Sequence, residues 1–305
     1  MPTGLLSGLF AAFLMALAFL FSSYAVRKRQ TVGSIGILLR AHIIMGIISI
    51  PGLFFIWRAE LWTETQYYMP VTIAGVLFYL IAQGTMFVIQ KQIDSSRIVP
   101  LLGLKLIILA IINGLILHSE IYGIWQYLAI ACTILSAFLL NKAGAKISVL
   151  LFFYILITCT GYSLSDTFLR IQIGQIMTLG YETLLAGALT STFLCYFISG
   201  VISVILFPCF NHPKTKASWG AWGSALPFSL CWITSIVMLL VCFAQLGTVN
   251  GNIIQSTRGM IAILIGGLLA KLGYYQIEKK ITALIFYKRL FAGFLMILAI
   301  YLFTL

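Results

Sequence analysis

Apolar stretches of about 20 residues recur along the chain, separated by short polar connectors. A helix rising about 1.5 Å per residue needs roughly that length to cross about 30 Å of hydrocarbon. Ten stretches qualify: 5–26, 32–56, 69–90, 97–117, 121–140, 147–168, 183–207, 222–243, 252–271 and 286–303. Connectors as short as 141–146 predict antiparallel packing of consecutive spans, with small residues at the contacts. Two faces fit that expectation, Ala129, Thr133 and Ala137 in the fifth stretch and Ala262, Gly266 and Ala270 in the ninth. The first stretch lacks a basic leader and is longer than a signal-peptide core, so it reads as a retained span.

Composition removes water as the solvent. Hydrophobic residues make up 61% of the 305 residues and charged ones 9%, with a mean hydropathy of +1.07; a soluble domain carries about 25% charged residues. The net charge of +12 would point to nucleic acid in a soluble protein. Here the Lys and Arg sit in connectors, beside lipid headgroups, and read as topological. The expected partners are therefore membrane lipids and a small-molecule substrate, with a proton or counter-substrate as coupling partner and no nucleic acid. The protein is expected in a cell membrane, the inner one where there are two, as a monomer or homodimer.

An internal duplication organises the chain. Near the end of the first half, Ser96, Pro100 and Lys105 are followed by Glu120 in a connector and by a closing span. In the second half, Asn252, Gln255 and Arg258 are followed by Glu278 and a closing span, across a longer connector. Five spans per half is an odd number, so the two copies run in opposite senses through the membrane. Inverted repeats of this kind hold substrate between the halves near mid-membrane in secondary transporters. The expected fold is an all-α integral membrane protein of ten transmembrane helices, built as two inverted five-helix repeats over 1–143 and 144–305.

Two segments carry a family resemblance. One begins NIIQSTRGMIAILIGGLL at Asn252 and ends RLFAGFLMILAIYLF, and the other reads SSRIVPLLGLKLIILAIINGLILHSEIYGIWQYLAIACTILSAFLL. With the span count, the chain resembles the EamA-like, ten-helix branch of the drug/metabolite transporter superfamily. That resemblance implies a carrier of small organic molecules working by alternating access. Bacterial relatives place both termini in the cytoplasm. In this chain Arg27 to Arg29, Lys91, Lys142, Lys146, Lys214, Lys216, Lys271, Lys279 and Lys280 all fall in odd-numbered connectors, and the even-numbered ones hold little beyond Arg58 and Arg170. By the positive-inside rule, the odd connectors face the cytoplasm and both termini lie outside.

Charges within spans are costly, roughly 3 kcal/mol each on insertion scales, and mark candidate sites. They are Arg40 and His42 in the second stretch, Lys105 in the fourth, Asp166 near the end of the sixth and Arg258 in the ninth. Arg40 and Asp166 read equally as interfacial or ion-paired structural groups. His42 is a candidate proton carrier or a packing histidine. Gln83, Asn113, Asn252 and Gln255 can bond a ligand or a neighbouring helix, and Trp232 can line a pocket or pack in the core. Trp125, Trp219 and Trp222 read as interfacial anchors.

Asn252, Gln255 and Arg258 recur every three residues as one polar stripe, and Lys105 shares a face with Asn113. In organophosphate-carrying members of the superfamily, cations on the fourth and ninth helices grip the anion. The resemblance thus implies an anionic or zwitterionic substrate, amino acid-like or phosphorylated, between Lys105 and Arg258. The alternative is that Asp166 or a backbone carbonyl already satisfies one of these cations.

No catalytic constellation accompanies them. GxSxG, GxxxxGK and HExxH patterns are missing, and His42, His118 and His212 lack metal-ligand spacing. Cys132, Cys159, Cys195, Cys209, Cys231 and Cys242 are scattered, mostly inside apolar stretches. Neither enzyme, cofactor nor metal is expected. A flippase for lipid or lipid-linked sugar, or a membrane enzyme acting on lipid, is the competing reading, because basic connectors serve it equally.

Overall fold

Without water to satisfy them, backbone N–H and C=O groups in a membrane must bond within their own segment, which selects helices. The computed structural model describes residues 2–112, 123–142, 147–210, 218–275 and 282–303, and no strand occurs among them. The helices are α1 (Pro2–Lys28), α2 (Ser34–Ile56), α3 (Glu60–Thr63), α4 (Thr65–Ile89), α5 (Ser95–Leu101), α6 (Lys105–Ala110) and α7 (Ile124–Lys142). They continue as α8 (Val149–Met177), α9 (Leu184–Phe210), α10 (Ser218–Leu246), α11 (Thr248–Gln255), α12 (Arg258–Lys271) and α13 (Ala283–Phe303). Seven helical stretches among the described residues are long and apolar enough to cross a membrane: α1, α2, α4, α8, α9, α10 and Asn250–Lys271, which runs across α11 and α12. Large apolar side chains such as Phe54, Phe55 and Ile205 project outward from them. An apolar outer surface and long apolar helices together fit a multi-pass membrane protein.

The helices pack as defined pairs. α1 lies along α10, α4 along α8, α2 along α9 and α7 along α13, while α5 packs on α12. Small residues sit at these contacts, as the sequence pattern implies. Ala129 and Thr133 are buried on α7, and Ala262, Gly266 and Ala270 on α12. Ser136 Oγ donates to the Ala292 carbonyl at 2.7 Å, tying α7 to α13.

Two expectations about helix extent change. The sixth stretch does not end at 168 but continues to Met177. Leu169, Ile173 and Ile176 are buried on one face together with Gln172, whose Oε1 accepts from Cys195 Sγ at 3.4 Å, so the helix gains by continuing despite Arg170 and Gln175. Asp166 consequently lies well inside α8. The ninth stretch is not one regular helix, because a tightened turn at 256–257 separates α11 from α12.

Local chemistry explains that interruption and its counterpart in the fourth stretch. Ser256 Oγ donates to the Asn252 carbonyl at 2.8 Å and Thr257 Oγ1 to the Ile254 carbonyl at 2.8 Å, so hydroxyls compete with the ladder. The backbone responds with i to i−3 bonds, from Thr257 N to Ile254 O at 3.1 Å and from Gly259 N to Ser256 O at 3.0 Å. In the fourth stretch Pro100 removes a ladder donor, and a 3₁₀ turn at Leu102–Leu104 follows before α6 begins. Gly259 lets the two broken segments meet, since a Cβ there would lie 3.0 Å from the Pro100 Cα.

Candidate functional site

A cavity lies where α1, α4, α6, α8, α9, α10, α11 and α12 converge. It encloses about 550 Å³ of space between atoms, of which about 30 Å³ is open to the centre of a water-sized sphere. That is room for about two or three waters. The cavity is a narrow slot.

The two broken segments each deliver one cation to it. Lys105 opens α6 and Arg258 opens α12, and both line the cavity with 4% and 5% of their surface exposed. Neither charge reaches an interface by snorkelling. Lys105 donates to Asp166 Oδ2 in a buried ion pair, and its ammonium stands 5.6 Å from the centre of the Tyr162 ring. Ser163 Oγ donates to the Lys105 carbonyl at 3.3 Å, which fixes the start of α6 on α8.

Arg258 is held differently. Its guanidinium stands 5.6 Å from the centre of the Phe19 ring and donates to Met15 Sδ at 3.2 Å. Gln255 Nε2 donates to the same sulfur at 2.9 Å. A thioether is a weak acceptor, and no described acid lies within ion-pair distance of Arg258. Each cation therefore meets an aromatic face across the cavity wall, but only Lys105 has a carboxylate.

Aromatic rings close the opposite wall. Trp232 on α10 is buried among Phe19 and Phe228, with ring centres 5.4 Å away in each case, and Tyr79 at 6.2 Å and Tyr162 at 6.4 Å. Tyr79 and Tyr196 meet edge to face at 5.8 Å. Tyr162 Oη, Ser165 Oγ and Trp232 Nε1 line the cavity and have no hydrogen-bond partner among the described residues. Buried donors of this sort normally have partners, and these are available to a bound molecule.

The candidates chosen from sequence divide accordingly. Lys105, Asp166, Trp232, Gln255 and Arg258 come together at the cavity. His42 and Gln83 stand one layer behind it. His42 Nε2 is 3.1 Å from Tyr79 Oη, His42 Nδ1 is 2.9 Å from the Leu38 carbonyl, and Gln83 Nε2 donates to Tyr79 Oη at 3.3 Å. Both thus orient Tyr79, which does line the cavity. Asn252 does not join the stripe with Gln255 and Arg258; its Nδ2 donates to the Thr248 carbonyl at 2.8 Å within α11. Asn252 does not line the cavity, although Gln255 follows it three residues on in the same α11.

Arg40 is not at the cavity. Its guanidinium stands over Phe207 at 4.9 Å and Trp222 at 5.6 Å, and donates to the Gly36 carbonyl at 2.8 Å. Asn113, Glu120 and Glu278 lie outside the described residues. Sequence reasoning passed over Tyr79, Tyr162, Tyr196, Ser165 and Met15. The tyrosines carried a signal, because phenols favour the membrane interface and these three lie mid-helix in α4, α8 and α9.

No group of three or more His, Cys, Asp or Glu residues with metal-binding geometry occurs among the described residues. No family model matches the chain, and no curated protein is similar to it. Nineteen chains of solved structures match it. One of them, a crystal structure, matches 96% of this chain and 95% of its own with a TM-score of 0.58 at 14% sequence identity. At that identity the likeness is one of fold.

Proposed function

We propose that this protein is a secondary carrier that moves a small anionic or zwitterionic metabolite by alternating access. It is a ten-helix membrane protein of the drug/metabolite transporter type, with inverted five-helix halves at 1–143 and 144–305. In this reading α5, the 3₁₀ turn and α6 form the fourth span, α7 the fifth, α11 with α12 the ninth, and α13 the tenth.

The pairing of helices supports the inverted halves. Exchanging each span for the one five places on converts the α1–α10 pair into the α8–α4 pair. The α2–α9, α7–α13 and α5–α12 pairs each map onto themselves. The fourth and ninth spans are also the interrupted ones, and broken helices in matching positions point to the binding site of such carriers.

One observation carries the functional reading: Lys105 and Arg258, on the two broken spans, face one narrow cavity whose single described acid, Asp166, is paired with Lys105 and leaves Arg258 without an ion pair. A desolvated guanidinium in that setting favours a carboxylate or phosphate, which it can grip through two parallel bonds. A slot with room for about two or three waters belongs to a closed stage of the cycle, and a substrate enters through a wider one. The test is uptake into proteoliposomes containing the pure protein, with labelled amino acids, nucleotides and sugar phosphates. Saturable uptake of one anionic or zwitterionic class is expected, lost in Arg258→Gln. Passage of a fluorescent lipid with no metabolite flux would replace this reading with that of a flippase.

A further inference from the structure

Among the described residues lining the cavity, Lys105 and Arg258 supply the positive charges and Asp166 the negative one. Resting on the carrier reading above, we infer that the cavity accepts a net load of one negative charge, so that a dianion such as a phosphate monoester enters with one proton, taken up by Asp166. A carboxylate monoanion enters without one.

Asp166 already occupies Lys105, so an arriving anion meets Arg258 first. With a monoanion there, two cations face two anions and the cavity is neutral. A dianion leaves one negative charge over, among described lining residues that offer no third cation and are otherwise mostly apolar and aromatic. An uncompensated charge in such surroundings costs far more than its neutralisation by a proton.

Asp166 is the group able to accept that proton. Around it, α8 contributes Cys159 and Tyr162, α4 contributes Tyr79, and α9 contributes Cys195 and Tyr196, all thiols and phenols that already carry their hydrogen. Lys105 on α6 and Arg258 on α12 are cations, α10 presents Trp232 and aliphatic side chains, and α11 presents Gln255. His42 lies behind Tyr79, with both ring nitrogens engaged.

The step balances simply. A solvent proton binds the Asp166 carboxylate, the Lys105–Asp166 ion pair is lost, and the Lys105 ammonium turns to the dianion alongside Arg258. Tyr162, Ser165 and Trp232 Nε1, unpartnered at the cavity wall, are placed to donate to the remaining oxygens. Asp166 therefore acts as a tethered anion that yields its cation to the substrate.

Isothermal titration of the pure protein with glucose 6-phosphate at pH 8, in buffers of different ionisation enthalpy, tests this. The second phosphate ionisation lies near pH 6, so the probe itself arrives as a dianion. Uptake of one proton per ligand is expected, with affinity falling about tenfold from pH 8 to pH 9. Gluconate should take up none and bind with a flat pH profile. Asp166→Asn should bind glucose 6-phosphate without proton uptake. If that variant does not fold, because Lys105 is left unpaired, Lys105→Gln/Asp166→Asn serves the same purpose. Binding of glucose 6-phosphate to the wild type without proton uptake sinks the coupling but leaves the anion carrier standing. Proton uptake that survives in the Asp166 variants assigns it to another group and also overturns the inference. Failure of both anions to bind removes the anion-carrier reading and the inference with it.

Discussion

Gly46 on α2 and Gly200 on α9 meet backbone to backbone. A Cβ on Gly46 would lie 2.9 Å from the Gly200 Cα, and one on Gly200 would lie 2.8 Å from the Gly46 Cα. Real side chains do not sit that close to backbone, so even alanine forces the two helices apart. Overpacking of this kind costs about 1–3 kcal/mol. Gly46→Ala and Gly200→Ala should each lower the melting temperature, and Gly46→Leu should abolish a monodisperse peak in size-exclusion chromatography. An unchanged melting temperature in both alanine variants would show that α2 and α9 do not touch there.

Lys105 and Arg258 should respond differently to loss of charge. Lys105→Gln leaves Asp166 buried without its cation, and breaking a buried pair from one side costs about 3–5 kcal/mol. Arg258→Gln removes a buried charge that makes no direct ion pair among the described residues and meets Asp166 only across the cavity, so it should cost less thermal stability than Lys105→Gln while abolishing transport. Thermal-shift measurements on the two variants separate them. Equal destabilisation would mean that Arg258 also has an acidic partner.

Trp232 offers a separation of packing from binding. Its Nε1 lies near the Tyr79 and Tyr196 hydroxyls but makes no well-formed hydrogen bond among the described residues, so Trp232→Phe gives up little internal hydrogen bonding and keeps most of the ring contacts. Stability should fall by less than in the alanine variant, because the phenyl ring fills much of the indole's space and leaves a smaller cavity, while the substrate KM rises. Trp232→Ala should instead cost about 3–5 kcal/mol through the cavity it leaves. A normal KM in Trp232→Phe would take Nε1 out of the binding site.

Orientation follows from the loop charges. Arg27, Lys28, Lys91 and Lys271 lie at one end of their helices in odd connectors, which the positive-inside rule assigns to the cytoplasm. Alkaline phosphatase fused after Leu305 should then be active in a bacterial host. Fluorescence from a fusion that matures only in the cytoplasm would reverse the assignment and place the C-terminus inside.

Solvent preference is a property of short stretches of chain, and the sequence alone determined that much. Runs of about 20 apolar residues fixed the helical, membrane-type architecture, because a lone segment in hydrocarbon has no other way to satisfy its backbone. The same logic singled out Lys105, Asp166 and Arg258, since a charge inside an apolar run is costly wherever it points. Which charges meet was decided by tertiary structure. Asp166 and Lys105 are 61 residues apart and join only because α6 lies on α8. Arg40, alike in sequence terms, ends between Phe207 and Trp222, away from the cavity. Asn252, three residues before Gln255 on α11, directs its amide to the Thr248 carbonyl and not to the cavity, which a three-residue spacing does not encode. The tyrosines of the cavity wall lie on three helices, and only the packing of α4, α8 and α9 turned them toward one another and left Arg258 facing them without an acid of its own.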